Sequence, residues 1–191
     1  LPGVKSDDPS LNGCPPDRDK DGIIDSEDAC PDVPGPRNSD PKKNGCPIAQ
    51  IIQGQIRINE QVKFKTGSAE IVGSEDVLNA VAKIMLEHPE IAQIRVEGHT
   101  DSKGAKAMNK RLSGRRAAAV VGWLTRHGGD RKRLRSAGFG PDRPIDTNAT
   151  DEGRQNNRRV EFHIVEKPAP RAQGARPARP VGRCGSHHRR T

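Results

Sequence analysis

Ile91-Ala92-Gln93-Ile94-Arg95-Val96-Glu97-Gly98-His99-Thr100-Asp101, followed shortly by Lys106 to Arg126, is the stretch on which the fold turns. Ile91, Ile94 and Val96 are the apolar positions of one strand, and Gly98-His99-Thr100-Asp101 brings it to an end. Lys106 to Arg126 reads as a long helix with Leu112, Ala119, Val120 and Leu124 inward, stopped by Gly128-Gly129. Working upstream, Ile56-Arg57-Ile58-Asn59-Glu60-Gln61-Val62 alternates apolar and polar residues as a half-buried strand does. Ser74 then stands as an N-cap before Val77, Leu78, Val81, Ile84 and Met85 at helical spacing, and that helix must stop near His88-Pro89. Downstream, Leu134 to Ala137 and Arg159 to Val165 supply two further strands. The order βαβαββ, with two crossover units on one sheet and the helices on one face, predicts a two-layer α/β (α+β) sandwich.

Composition limits how much of the chain this sandwich occupies. Of 191 residues only 31% are hydrophobic and 2% aromatic, too lean for one large core, so a compact unit with low-hydrophobicity flanks is expected. Charge divides the chain the same way. Residues 1–50 hold 6 Lys/Arg against 10 Asp/Glu (net −4), residues 51–165 hold 20 against 14 (net +6), and residues 166–191 hold 7 against 1 (net +6). An acidic head, a mildly basic middle and a basic tail do not make one uniform nucleic-acid surface, and the aromatic platforms a single-strand binder needs are missing. The longest apolar run, Ala117 to Val121, is far short of the roughly 18 residues that cross a bilayer. Leu1-Pro2-Gly3-Val4 shows no signal-peptide pattern.

The head is repetitive. Leu1–Pro15 aligns on Val33–Pro47 at an offset of 32, matching Pro2 with Pro34, Gly3 with Gly35, Asp8 with Asp40, Pro9 with Pro41 and Asn12-Gly13-Cys14-Pro15 with Asn44-Gly45-Cys46-Pro47. Within the unit Cys30 is the natural partner of Cys46, as a disulfide of an oxidising compartment. The partner of Cys14 would lie before residue 1, so the chain is expected to be cut from a longer protein. A zinc site is disfavoured, because no Cys-x-x-Cys pair exists and the spacing of 16 is wrong for one.

Between those cysteines, Asp17, Asp19, Asp21, Asp25 and Asp28 occupy positions 1, 3, 5, 9 and 12 of a loop, with Gly22 at position 6 and the carbonyl of Ile23 at position 7. These are the oxygen positions of a calcium loop, since calcium takes 6 to 8 hard ligands and alternate residues of a tight turn aim at one centre. Asp28 stands where a bidentate Glu is usual, and Pro15, Pro16 and Pro31 forbid the flanking helices of a helix-loop-helix hand. The segment instead resembles a thrombospondin type 3 repeat, which implies that calcium is its ordering agent and that it covers residues 1–47.

The middle segment resembles the OmpA-like peptidoglycan-associating domain of Gram-negative envelopes. The matching elements, in family order, are Phe64 to Ser68, Gly98-His99-Thr100-Asp101, Asn109 with Leu112-Ser113 and Arg116-Ala117, Gly138-Phe139-Gly140 with Pro144, and Asn157-Arg158-Arg159-Val160-Glu161. The resemblance implies a non-catalytic domain over residues 48–166 that grips the diaminopimelate of the peptidoglycan stem, on the periplasmic face of the outer membrane. A free diaminopimelate end bears an ammonium and a carboxylate on one carbon, so its receptor needs an anion beside a bidentate cation. By resemblance Asp101 takes the ammonium, Arg116 the carboxylate, and Asn109 and Arg159 add contacts, with Thr100 and Leu112 as further candidates. Lys65 and Met108 depart from the family's usual Asp and Tyr, and Lys65 is expected to alter the charge at the rim.

His99 invites an enzyme reading, but no second His falls at metal-ligand spacing and no Ser or Cys nucleophile pairs with it, so it is expected to be structural. No catalytic residue is assigned. The tail, residues 167–191, mixes Pro, Ala, Gly and Arg without periodicity and is expected to be disordered. Cys184 is a conceivable partner for Cys14. Two readings of function remain: a cell-wall anchor, or a structural or signalling envelope protein whose calcium spacer matters more than wall binding.

Overall fold

The computed structural model describes residues 15–165. The expectations for the first half of the repeat, for Cys14 and for the basic tail with Cys184 lie outside these residues. Five strands form one sheet in the order β1-β2-β5-β3-β4. They are β1 (Ala49–Ile52), β2 (Gln55–Ile58), β3 (Ile94–His99), β4 (Leu134–Gly140) and β5 (Val160–Ile164), with helices α1 (Glu75–Glu87), α2 (Lys106–Arg126) and α3 (Asp151–Asn157).

Two strands precede α1 where one was expected. Ala49–Ile52 and Gln55–Ile58 fold back on each other through Gln53-Gly54, whose φ values of +49° and +74° give the doubly left-handed turn that suits strand twist. The expected strand therefore ends at Ile58, although Val62 still reaches the core. β5 pairs antiparallel with both β2 and β3, whereas β3 and β4 run parallel across α2. Register aligns Ile56 with Phe162 and Phe162 with Val96, so a row of buried side chains crosses the sheet centre. Leu78, Val81, Met85, Val120 and Leu124 from α1 and α2 cover that row.

Local chemistry sets the helix positions. Ser74 is the N-cap residue of α1 but does not cap it: its hydroxyl accepts from the amide of Lys63 at 2.8 Å and donates to the Val72 carbonyl at 3.2 Å. At the other end α1 has no basic residue in its last turn. Arg133, from the turn before β4, donates instead to the carbonyls of Met85 (2.7 Å), His88 (2.6 Å) and Ile91 (2.9 Å). α2 lies hard against β3 and β4, because a Cβ at Gly98 would run into the Ser113 backbone and one at Gly138 into that of Gly114. The short α3 is capped by Thr150, whose hydroxyl accepts from Gly153 at 3.1 Å.

The acidic head is built differently. Cys30 and Cys46 are disulfide-bonded, as expected, and only Ile23 and Cys46 are buried apolar residues between 15 and 47. Its backbone is held by side chains: Asn44 donates to the Glu27 carbonyl (2.7 Å), and Gly35 donates to Asp21 (3.0 Å). The head meets the sheet where the Asn59 side chain donates to the Pro47 carbonyl at 2.5 Å and Lys43 pairs with Glu60 at 3.3 Å. No helix among the described residues is long and apolar enough to cross a membrane.

Candidate functional site

A cavity of about 740 Å³ opens where β3 hands over to α2, and the segment 61–67 and the residue after α3 complete its wall. Five of the six residues expected at a peptide site line it: Thr100, Asp101, Asn109, Leu112 and Arg116. Thr100 continues the sheet by donating its amide to the Gly140 carbonyl (2.9 Å), which fixes the exit of β3. Asp101 follows at 8% exposure. Its Oδ1 accepts from the Lys103 amide at 3.0 Å, so it does close the turn, while Oδ2 faces Arg158 Nη1 at 2.5 Å. Asn109 donates to the Lys103 carbonyl at 2.8 Å and orders the same loop.

Arg116 projects from α2 into the cavity, held by its Nε on the Ser68 carbonyl (2.9 Å) and by the Phe64 ring 5.0 Å below the guanidinium. Among the described residues no carboxylate lies within ion-pair distance of it, and its terminal nitrogens have no partner. Burial, followed by the neighbouring Arg158 charge, pulls its pKa below the ordinary arginine value, and Asp101 pulls it back up.

The two adjacent arginines resolve against expectation. Arg158 lines the cavity; Arg159 does not. Arg159 bonds Glu161 (2.6 Å) and the Arg143 carbonyl (3.2 Å) instead. The reason is strand parity: Val160 and Phe162 face the core, so Arg159, Glu161 and His163 share the other face of the sheet. Asn157 positions the switch. Its buried amide accepts from Ile145 (2.8 Å) and Asp146 (3.1 Å) and donates to the Asp146 carbonyl (2.8 Å). Phe64, the aromatic floor of the site, was visible in sequence only as part of a motif. Lys65 is paired with Glu70 at 3.6 Å and is not in the wall; Lys63 and Lys103 are the lysines there.

In the head, Asp17, Asp19 and Asp21 each bring one oxygen within 4.8 Å of the others. Asp28 is close enough to join them in raising the pKa of Asp19, although burial is the larger cause. One oxygen of Asp19 and one of Asp28 are buried without any partner. Clustered carboxylates with buried oxygens left without partners are what a hard dication satisfies, so these residues fit calcium. The oxygens of Asp17 and Asp21 also accept backbone amides, but of the five aspartates Asp25 is the one paired with a cation among the described residues, accepting from the Arg18 amide and from its guanidinium at 3.0 Å each. The side chain at loop position 9 often acts through water, which explains why spacing alone placed it among the ligands.

A family model described as the OmpA family matches residues 63–158, just over half of the chain. Outer membrane porin F of Pseudomonas aeruginosa is 40% identical over 151 residues, 78% of this chain and 41% of that protein. Peptidoglycan-binding protein ArfA of Mycobacterium tuberculosis is 37% identical over 98 residues, 51% of this chain and 30% of that protein. Among solved structures, a putative MotB like protein from Desulfovibrio vulgaris superposes with a TM-score of 0.51 at 30% identity, covering 60% of this chain and 77% of that one. The chain thus spans less than half the length of these two curated relatives.

Proposed function

The chain belongs to the OmpA family, and from that premise we propose that its cavity binds the peptidoglycan stem peptide through the zwitterionic end of diaminopimelate, anchoring an envelope protein to the wall without catalysis. The observation that carries this reading is the pair of unpartnered terminal nitrogens of Arg116, in the same cavity as Asp101. A ligand carboxylate satisfies Arg116, and Arg158 provides a second cation beside it. A ligand ammonium competes with Arg158 for Asp101, so the free site is closed by an internal ion pair that the zwitterion replaces group for group. The name of the mycobacterial relative and the outer-membrane setting of the porin support wall binding on the periplasmic side.

The head is proposed to be a thrombospondin type 3-like spacer of residues 1–47, bound to calcium through Asp17, Asp19, Asp21, Asp28 and the Ile23 carbonyl, with residues 48–166 as the wall-binding domain. Purified sacculi pulled down with the full chain test the site. Asp101→Ala and Arg116→Ala should each weaken capture by about 2 kcal/mol, roughly 30-fold, because each leaves a ligand charge unpaired. Capture by both variants equal to wild type would remove the assignment and leave the structural-spacer reading.

A further inference from the structure

On the sheet face away from α1 and α2, a second group of ligand-type side chains has no place in the reading above. β3 and β5 pair with Glu97 directly opposite Glu161 and Arg95 opposite His163. Two carboxylates facing each other across a strand pair repel, and here the Glu97 side chain is only 1% exposed. His99, two residues beyond Glu97 on the same face, is 2% exposed, and neither of its ring nitrogens has a hydrogen-bond partner. An imidazole buried with both nitrogens unsatisfied is costly unless something absent from the structure uses it.

The nitrogen points at the carboxylates. His99 Nε2 lies 3.9 Å from Glu97 Oε2 and 3.7 Å from Glu161 Oε2, too far for hydrogen bonds. His163 Nε2 lies 3.8 Å from that same Glu97 oxygen and 2.8 Å from that same Glu161 oxygen. Ligand atoms around a tetrahedral zinc ion at 2.0–2.1 Å are separated by about 3.4 Å, so Glu97, His99 and Glu161, whose ligand atoms all lie within 4.8 Å of one another, need small shifts only, with His163 at their edge against Glu161. The outer oxygens are already locked: Arg95 holds Glu97 Oε1 at 2.5 Å and Arg159 holds Glu161 Oε1 at 2.6 Å, leaving each Oε2 turned to the centre. The side-chain amide of Gln55 sits 3.1 Å from His163 Nδ1 and fixes that ring from behind.

We propose that Glu97, His99 and Glu161 form a binding site for a divalent transition ion of the zinc class, with His163 orienting Glu161 from beside it. Imidazole nitrogens with carboxylate oxygens suit zinc rather than calcium or magnesium. Arg143 is the guanidinium at a centre-facing oxygen, 3.1 Å from Glu97 Oε2. Its side chain is 55% exposed and stacks on Phe139, so it can swing to solvent as the ion enters. The consequence is mechanical: His99 and Arg159 are the immediate neighbours of Thr100-Asp101 and Arg158, so the ion would clamp together the two strand ends that present the cavity charges.

The full chain, saturated with calcium to fill the head, is titrated with zinc chloride by calorimetry and followed by thermal melting. Wild type should bind an ion that raises the melting midpoint. Glu161→Gln and His163→Ala, at partly exposed positions, should melt normally without zinc yet bind that ion about tenfold more weakly or worse. His127→Ala, an exposed histidine outside the cluster, should bind it as wild type does. Zinc binding equal in wild type and both cluster variants, or absent from wild type, overturns the site. Sacculus capture, measured separately, does not enter this result.

Discussion

Residues 15–47 hold their shape around carboxylates, asparagine amides and one disulfide, with two buried apolar side chains, whereas the sheet and helices after them close on a continuous core from Ile56 to Phe162. The head gathers like charges and leaves two of their oxygens unsatisfied. The body pairs most of its buried polar groups, Asn157 and Ser113 among them, with the ring of His99 and Nε of Arg154 as the exceptions. On the proposed reading, order in the first region depends on an ion and a disulfide, whereas the second has an apolar core of its own. If that proposal holds, one chain couples a tether that responds to its surroundings to a grip that does not.

The largest expected effect tests that independence. Phe162→Ala should destabilise the body by about 3–5 kcal/mol, read from denaturant unfolding, because Phe162 is 1% exposed at the centre of the sheet. Calorimetric calcium binding by the head should survive in conditions where the variant body is unfolded; joint loss would mean that head and body are one cooperative unit. The roughly 30-fold loss of sacculus capture expected for Arg116→Ala sharpens the comparison from the other side, since it should leave calcium binding untouched. The smallest effect is the most discriminating. Chelation should enlarge the head, seen as a longer maximum dimension in small-angle scattering, while sacculus affinity changes by less than the error of the pull-down. Identical dimensions with and without calcium would contradict the spacer.

Much of this was legible in the residues. α2 runs from Lys106 to Arg126 as the helical spacing and Gly128 required, and the disulfide followed from the repeat. The β1–β2 hairpin was missed because Gln53-Gly54 lacks the Asn-Gly or Asp-Gly signal, and α3 because seven polar residues show no apolar period. The Arg158 and Arg159 exchange was within reach: once Val160 and Phe162 face the core, Arg159 must face the other way. His163 was out of reach as a neighbour of His99. Spacing along the chain says nothing of two residues 64 apart that meet only because register sets Glu97 opposite Glu161 between them.

The guanidinium of Arg133 also writes a sequence of events into folding. α1 cannot satisfy its own last carbonyls, and the group that does so arrives from 42 to 48 residues downstream, across β3 and α2. Closing so long a loop is entropically uphill until the sheet has assembled, so this clasp belongs to the downhill side of the barrier. Arg133→Lys, with one ammonium in place of a planar fork, should accordingly speed unfolding and leave the folding limb of a chevron nearly unmoved. A slowed folding limb would instead place the clasp in the nucleus. The lifetime of the native state, rather than the rate of reaching it, is what this one side chain governs.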